Sequence, residues 1–416
     1  MLIAACQEGS FSFDNHEMVN EAFQGTLTIS LGAIRPNVGT LAPGPLASTQ
    51  SPLYDKLRAF QDQYDKLSLE IDSIDDIWNL EKPDPFPDVV ELVPYQVRWV
   101  ADGELEELEY VFQTHTWSGA YGDLIERMKV GGDTWLLPLK AEPLIMFYDE
   151  VIFDELHLMH PHEDWTWDEL LSASSQLSEH GYDTIMPDSF DGIEPMIRGF
   201  GGHITSPDGT MFSGYLDSEE TITAFDRYLT FYRSLQHGES TRFDRAALGI
   251  SWPSQIHKLI HENPSIRFAR MPIFPDGERH NTMFATGLAL SSLSNKQTAA
   301  IALMSEIIER DDQEAIRFSN YVTLISREPK YRDEPPERMQ ELLDVMEQET
   351  AIASPSPFQL TTHVRHYYGA LEHYPGTFTN LFPKFIGQES SETMLRELAD
   401  FIDVHFTEQR GNWNGR

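Results

Sequence analysis

Acidic and aromatic side chains near the ends of apolar segments are the residues of this sequence best suited to chemistry. Glu142 follows the segment TWLLPLKA, and the run Trp-Thr-Trp-Asp-Glu-Leu begins at Trp165, after a histidine-rich stretch, HLMHPHED. A carboxylate can act as a general acid or base, or it can accept hydrogen bonds from a bound molecule. An aromatic ring offers a flat apolar face on which a ring-shaped ligand can stack. These residue types therefore allow two interpretations, catalysis by carboxylates and binding of a polar ligand.

The usual short motifs of hydrolases, nucleotide-binding enzymes and zinc proteases are missing from the sequence. It contains no Gly-x-Ser-x-Gly, no Gly-x-x-x-x-Gly-Lys and no His-Glu-x-x-His. His157, His160 and His162 could in principle bind a metal, but a proline-containing loop favours solvated surface histidines. The pairs Glu106-Glu107 and Glu219-Glu220 could supply glycosidase carboxylates only if they faced one cleft, at about 5 to 9 Å. In so acidic a chain, we expect both pairs to be solvated positions on helices.

The balance of charge excludes some classes of partner. With 67 acidic and 30 basic side chains the net charge is −37, and such a surface repels the phosphates of nucleic acids and of anionic lipids. The length of 416 residues favours two domains, each large enough to bury a core. The single cysteine allows neither an internal disulfide nor a cysteine-based zinc site. We therefore predict two globular lobes that bind no nucleic acid, no metal and no cofactor.

Hydrophobic periodicity predicts a β-α-β order near the start of the chain. The segment TLTISLG from Thr26 alternates as a strand does, and a loop rich in Gly and Pro then leads to Pro52. Helical spacing in SPLYDKLRAFQDQY predicts a helix, and LSLEI and DVVEL predict two further strands. A second helix is predicted over residues 96–101. The β-α-β order indicates a parallel sheet with helices on its faces, and the long loop is of a length that usually has a function.

The middle of the chain contains an interrupted extended segment followed by helices. Pro138 and Pro143 interrupt TWLLPLKAEPLIMFYD, which indicates a crossing between two lobes. Thr166 and Glu169 form a capping-box pattern at the start of a helix, and Gly181 follows its end. Further helices are predicted over DSEETITAFDRYLTFYRSL and NKQTAAIALMSEIIER, with a strand over ATGLALSSL before the second of them.

A lipid-attachment pattern lies near the N-terminus. Ile3-Ala4-Ala5-Cys6 places an aliphatic residue and two small residues before a cysteine, which is typical of the end of a bacterial lipoprotein signal peptide. The alternative is an ordinary cysteine, because the five residues before Cys6 are fewer than a whole signal contains. We expect a lipid on Cys6 and a polar tether within residues 1–24.

Five segments in order carry a resemblance to a known family. They are residues 87–108, 131–158, 165–177, 199–225 and 286–307. Together they resemble the extracellular solute-binding proteins of ABC importers, in the group that contains the maltose-binding proteins, over about residues 27–406. Two features depart from the family pattern: Gly131-Gly132-Asp133 replaces Asp-Gly-Lys, and Tyr148-Asp149-Glu150-Val151 replaces Tyr-Asn-Lys-Asp.

The resemblance implies the type II periplasmic-binding-protein fold, an α/β fold with two lobes. Each lobe would have a mostly parallel sheet flanked by helices, and a multi-strand hinge would join the lobes and close them on a ligand. On this basis we expect an N-terminal lobe over residues 25–140 plus 288–323 and a C-terminal lobe over 141–287 plus 324–416.

The resemblance also implies a set of ligand contacts. Trp252 matches a position where an aromatic ring stacks on a sugar, and Glu142 matches an acidic residue that accepts hydrogen bonds from sugar hydroxyls. Phe190 and Glu194 fall in a loop of the second lobe that adds contacts, with Met196 where an aromatic residue is common. Trp167 is expected to pack in the core. The contacts implied are Arg35, Tyr95, Glu142, Phe190, Glu194 and Trp252.

The function implied by the resemblance is capture of a carbohydrate and its delivery to the transmembrane subunits of an ABC permease, without catalysis. The protein would be a monomer, held by its lipid on the extracellular face of the cytoplasmic membrane or located in the periplasm. Two alternatives stay open: a glycan-active enzyme that uses two acidic residues, and a sensory module that signals through a membrane partner. Polyamines and metals are alternative ligands among related binding proteins.

Overall fold

The chain folds into two compact units. A computed structural model describes residues 23–32, 52–74, 85–94, 104–111, 119–130, 132–187, 190–207, 211–234, 245–274, 277–307, 336–355 and 390–413. The first unit contains Met1–Ala141 and Ala285–Arg332, and the second contains Glu142–Phe284 and Asp333–Arg416.

Strands and helices are interspersed along the described part of the chain. The strands are β1 (Gly25–Gly32), β2 (Leu67–Ile74), β3 (Val89–Leu92), β4 (Leu137–Pro143), β5 (Ile145–Asp149), β6 (Asp183–Ile185), β7 (Ala246–Ser251), β8 (Ile266–Ala269), β9 (Thr282–Leu290) and β10 (Ser354–Pro355). The helices are α1 (Pro52–Gln63), α2 (Leu108–Val111), α3 (Gly119–Arg127), α4 (Glu150–Glu155), α5 (Trp167–Glu179), α6 (Phe190–Gly199), α7 (Glu219–Ser234), α8 (Pro253–Glu262), α9 (Gln297–Ile307), α10 (Pro336–Ile352) and α11 (Ser391–Trp413). Strands β4 and β9 each contain a point at which the chain passes from one unit to the other.

The sheet of the first unit has the parallel start that the β-α-β order predicts. Strand β1 pairs in parallel with β2 along its whole length and with β3 on its other side. Strand β9 runs antiparallel to β3 and also pairs with β4. Leu27 and Ile29 of β1 are fully buried and form a core with Leu57 and Phe60 of α1 and Leu303 of α9. The alternation read from the sequence therefore reports the buried face of β1.

The sheet of the second unit is less parallel than expected. Its order is β6-β7-β5-β8, and only the β6–β7 pair is parallel, because β5 runs against both of its neighbours. Strands β6, β7 and β8 share one direction because helices connect each to the next, as in other crossover connections. The direction of β5 is set instead by β4, from which it continues after Leu144. The expectation of a mostly parallel sheet is wrong for the pairing around β5.

Predicted helix boundaries agree with the structure where it describes them. Thr166 caps α5, and the reciprocal capping box with Glu169 is complete. Gly181, just beyond the helix, has φ +82°, in the region that glycine adopts at low cost. The hydroxyl of Ser218 accepts from the backbone N–H of Thr221 at the start of α7. The helix predicted over residues 96–101 and the long loop before Pro52 lie outside the described residues.

No helix within the described ranges is both long enough and apolar enough to cross a bilayer.

Candidate functional site

One edge of the second unit's sheet gathers the ends of several elements. Ile185 at the end of β6 pairs with Gly249, and Ser251 at the end of β7 pairs with Ile145, the first residue of β5. Helices α6 and α8 follow β6 and β7, so both helices begin near this edge. Ligands of open α/β sheets bind outside the carboxyl ends of strands, so this edge is the candidate site of the second unit.

Gly249 is required for the close packing of this edge. A Cβ atom at position 249 would lie 2.7 Å from the carbonyl oxygen of Ile185 and 2.7 Å from the ring of Phe147. Real side chains do not tolerate such distances to backbone atoms, so only glycine allows β6 and Phe147 to approach β7 this closely.

Trp252 stands at the junction of β7 and α8. It is the N-cap residue of α8, with extended backbone angles of φ −71° and ψ 134°, and its side chain makes no capping hydrogen bond. The residue is partly exposed, and its side chain packs against the core of the second unit. Such a position suits an aromatic ring that stacks on a ligand.

Glu142 caps the same helix from a distant part of the sequence. The carboxylate, in a residue only 4% exposed, accepts from the backbone N–H of Ser254 at 2.5 Å and from the Ser254 hydroxyl at 3.0 Å. Pro253 has no N–H, so the first backbone N–H donor of α8 belongs to Ser254. A negative charge here also suits the positive end of the helix dipole. Glu142 therefore fixes the start of α8 and, with it, the position of Trp252.

Glu194 lies on a helix, and the predicted loop at this position is wrong. Residues Phe190–Gly199 form α6 because Ile193, Met196 and Ile197 recur at helical spacing and bury one apolar face in the core. Pro195 lies inside this helix. The carboxylate of Glu194 is 97% buried, and its Oε1 lies 3.1 Å from Nε of Arg198, one turn farther along.

The structure gives little on the remaining predicted site residues. Arg35, Tyr95 and Cys6 lie outside the described residues, and Phe190 is described only as the first residue of α6. The structure thus brings Glu142 and Trp252 to one helix start, and it places Phe190 and Glu194 on the helix that follows β6.

The tryptophan and the histidines singled out from the sequence contact other side chains of the protein. The ring of Trp167 lies 5.7 Å from that of Phe274 and packs against the core, as expected. His160 lies 2.9 Å from Asp154, and His162 lies 4.0 Å from Glu169. Within the described part of the chain, no group of three or more His, Cys, Asp or Glu residues is arranged to hold a metal ion.

The two acidic pairs differ from each other. Glu219 and Glu220 are exposed in the first turn of α7, where carboxylates favour the helix dipole. Glu106 and Glu107 precede α2 rather than lying on a helix, and Glu106 accepts a hydrogen bond from Gln297 at 2.9 Å. The expectation of a helical position is therefore wrong for this second pair.

Sequence reasoning missed the polar residues that hold the predicted ones in place. Ser254 could have been found from the Trp-Pro-Ser start of a helix, since proline at the first turn leaves the next N–H in need of a partner. Arg198 donates to the backbone carbonyl of Asn281, and Asn281 contacts Glu349. No spacing rule joins residues so far apart in sequence.

Burial raises the pKa of Glu349, although hydrogen bonds from Arg270 and Asn281 act in the opposite direction. Burial also raises the pKa of Glu341, which accepts from the backbone N–H of Phe268. Both residues lie on α10.

Comparison with solved structures identifies the fold. An ABC substrate-binding protein from Listeria monocytogenes, in complex with cycloalternan, is 16% identical and matches with a TM-score of 0.67, covering 92% of this chain and 99% of its own. The cyclic alpha-maltosyl-1,6-maltose binding protein from Arthrobacter globiformis is 15% identical, with a TM-score of 0.65 and coverage of 92% and 100%. The GacH receptor of Streptomyces glaucescens, solved unliganded and with acarbose, is 14% identical, with a TM-score of 0.63 and coverage of 91% and 97%.

No family model and no curated protein matches this sequence. The chain nevertheless has, over most of its length, the two-lobed α/β fold of the type II solute-binding proteins. The fold class implied by the sequence resemblance is thereby confirmed.

Proposed function

We propose that this protein is the solute-binding receptor of an ABC importer and that its ligand is a carbohydrate. The observation that carries the proposal is the partly exposed Trp252 at the start of α8, in a fold shared with proteins whose structures hold cycloalternan or acarbose. Sugar rings stack on aromatic faces, while neighbouring polar groups bind their hydroxyls.

In this proposal the residues have different tasks. Trp252 stacks on the sugar, and Glu142 holds the start of α8 beneath it while remaining near enough to accept from a ligand hydroxyl. Arg35, Tyr95, Phe190 and Glu194 are proposed as further contacts.

The contacts of the two acids favour binding over glycoside hydrolysis. A hydrolase needs one carboxyl group to protonate the leaving oxygen and a second to act as nucleophile or base. The carboxylate of Glu142 accepts two hydrogen bonds from Ser254, and Oε1 of Glu194 forms an ion pair with Arg198. A carboxylate held in this way can still accept a further hydrogen bond from a ligand hydroxyl, and that role needs no proton transfer.

The same geometry disfavours an anionic ligand at this helix. Helix N-termini bind phosphates and carboxylates because their N–H groups and dipole attract negative charge. At α8 that position is occupied by Glu142. A neutral polyhydroxylated ligand fits this arrangement better than a phosphorylated one.

The proposal extends to the cell surface. Cys6 would carry a lipid that holds a monomeric receptor outside the cytoplasmic membrane, where it would deliver its ligand to a permease. Metabolic labelling with a radioactive fatty acid tests this: label incorporated by the protein expressed in its native host should be lost in a Cys6→Ser variant. Equal labelling of both would contradict the anchor and leave the sugar site unaffected.

Isothermal titration against a panel of mono- and oligosaccharides, including maltose, maltotriose and a cyclic maltodextrin, tests the sugar assignment. We expect saturable heat with at least one sugar, no turnover of that sugar, and a large loss of affinity in Trp252→Ala. A panel that gives no heat with folded protein would contradict the carbohydrate proposal, and release of a shorter sugar would favour the enzyme alternative.

A further inference from the structure

A chain of polar contacts leads from the candidate site to the strands that pass between the units. It begins at Glu194, whose Oε1 lies 3.1 Å from Nε of Arg198. The other end of the Arg198 guanidinium donates to the backbone carbonyl of Asn281, which directly precedes β9. One guanidinium therefore contacts both the acid on α6 and the start of a crossing strand.

Asn281 joins this strand to the segment in which β4 leads into β5. It is fully buried, and its Nδ2 donates to the carbonyl of Leu144 at 2.8 Å and to Oε2 of Glu349 at 2.7 Å. Its Oδ1 accepts from the N–H of Thr282 at 2.7 Å, and the N–H of Leu144 donates to the carbonyl of Thr282 at 3.3 Å. Leu144 lies between β4 and β5. The Asn281 side chain thus uses its donors and its acceptor to hold the two segments together.

Beyond Asn281, the polar contacts continue to charged side chains. Glu349 is fully buried and accepts from Nε of Arg270 at 2.9 Å. Arg270 and Arg279 both donate to Glu163, each at 2.9 Å. Breaking a contact in this buried network is costly, because it leaves a polar group without that partner in a low dielectric. A displacement imposed at one end is therefore not absorbed locally.

We propose that Arg198 is a positioning residue that couples the side chain of Glu194 to Asn281 and so to the crossing strands β4 and β9. When the contacts of Glu194 change, the position of the Arg198 guanidinium changes with them. The hydrogen bond from Arg198 to the backbone carbonyl of Asn281 then shifts Asn281 as well. A ligand that draws on Glu194 would in this way reach the strands on which hinge movement depends. That last step rests on the proposed function, but the coupling itself does not require any ligand.

Hydrogen exchange of the ligand-free protein tests the coupling. The amides to follow are Leu144 and residues 282–284, which lie at the Asn281 junction, in Glu194→Gln, Arg198→Met and the double variant. Each single substitution should raise their exchange roughly fivefold, and the double variant should exchange no faster than Arg198→Met alone, since coupled residues are not additive. Met196→Leu, on the same helix, should leave these amides unchanged because it exchanges one apolar core side chain for another of similar volume.

Two results would overturn the coupling. One is unchanged exchange in Glu194→Gln, and the other is a double variant whose acceleration equals the product of the two single effects. The second result is expected if Arg198 stabilises the junction independently of Glu194. Arg198→Lys, which keeps a charge for Glu194 without a fork that reaches both partners, should behave like Arg198→Met and replaces it if the methionine variant does not fold. Sugar titration of the unmodified protein tests the proposed function separately, so failure of one idea leaves the other standing.

Discussion

Replacing Glu142 by alanine should destabilise the second unit through the start of α8. The substitution removes two hydrogen bonds to Ser254 and a negative charge at the positive end of the helix. Loss of a capping group costs about 0.5 to 2 kcal/mol, and loss of the charge interaction with the helix dipole costs about 0.3 to 1 kcal/mol. Because Ser254 is exposed, water can replace the carboxylate on the freed N–H, so the larger penalty for a buried unpaired donor does not apply.

We therefore expect the free energy of unfolding to fall by about 1.5 kcal/mol in Glu142→Ala. Glu142→Gln keeps an acceptor for the Ser254 N–H and should lose about 0.5 kcal/mol. Ser254→Ala removes only the hydroxyl contact and should also lose about 0.5 kcal/mol. Urea unfolding followed by tryptophan fluorescence gives these values from the shift in midpoint at constant slope.

A double-mutant cycle separates capping from ligand contact. If Glu142 acts through Ser254, the effects of Glu142→Ala and Ser254→Ala on stability are coupled by about 0.5 kcal/mol or more. A Glu142→Ala variant as stable as the parent protein would show that the carboxylate does not hold the helix. An affinity loss at unchanged stability would make Glu142 a ligand contact instead.

Three further predictions concern stability. The pKa of the Glu349 carboxyl is raised in the folded state, so the folded state binds this proton more tightly than the unfolded state does. The contribution of Glu349 to stability should therefore decline as the pH rises from the ordinary carboxyl pKa through the raised pKa. Glu349→Gln should remove that decline in urea midpoints measured from pH 4 to 8, and an unaltered pH profile would argue against it. Thr166→Ala should lower the free energy of unfolding by about 1 kcal/mol through loss of the α5 cap, whereas Ser172→Ala, at an exposed position inside the same helix, should not lower it. With a net charge of −37, raising KCl from 0.1 to 2 M should raise the thermal midpoint by roughly 3 to 5 °C, and a fall would show that charge repulsion does not limit stability.

The elements that follow from local sequence were predictable. The alternation in β1, the capping box at Thr166 and the glycine at position 181 each reflect an interaction within a few residues, and the structure contains all three. The parallel pairing of β1 with its neighbours followed from the β-α-β order. These features need no knowledge of distant contacts.

The features that failed depend on contacts between distant residues. The direction of β5 is set by entry from β4, and the helix at Glu194 forms because three apolar residues find a core to bury in. The cap that Glu142 gives to Ser254 spans 112 residues of sequence, and the contact between Arg198 and Asn281 spans 83. Hydrophobic periodicity carries no information on contacts between such distant residues. The sequence resemblance therefore pointed to Glu142 and Glu194 without indicating which residues hold their side chains.

Intrinsic tryptophan fluorescence during titration with the same sugars tests whether Trp252 forms a carbohydrate site. The matched variants are Trp252→Ala and Trp135→Phe; Trp135 lies in the first unit, where its indole donates to the carbonyl of Val130 at 3.2 Å. We predict a saturable change in the unmodified protein that survives in Trp135→Phe and disappears in Trp252→Ala. A folded protein that shows no change with any sugar, or a Trp252→Ala variant that binds as tightly as the parent, would contradict a carbohydrate site built on this ring.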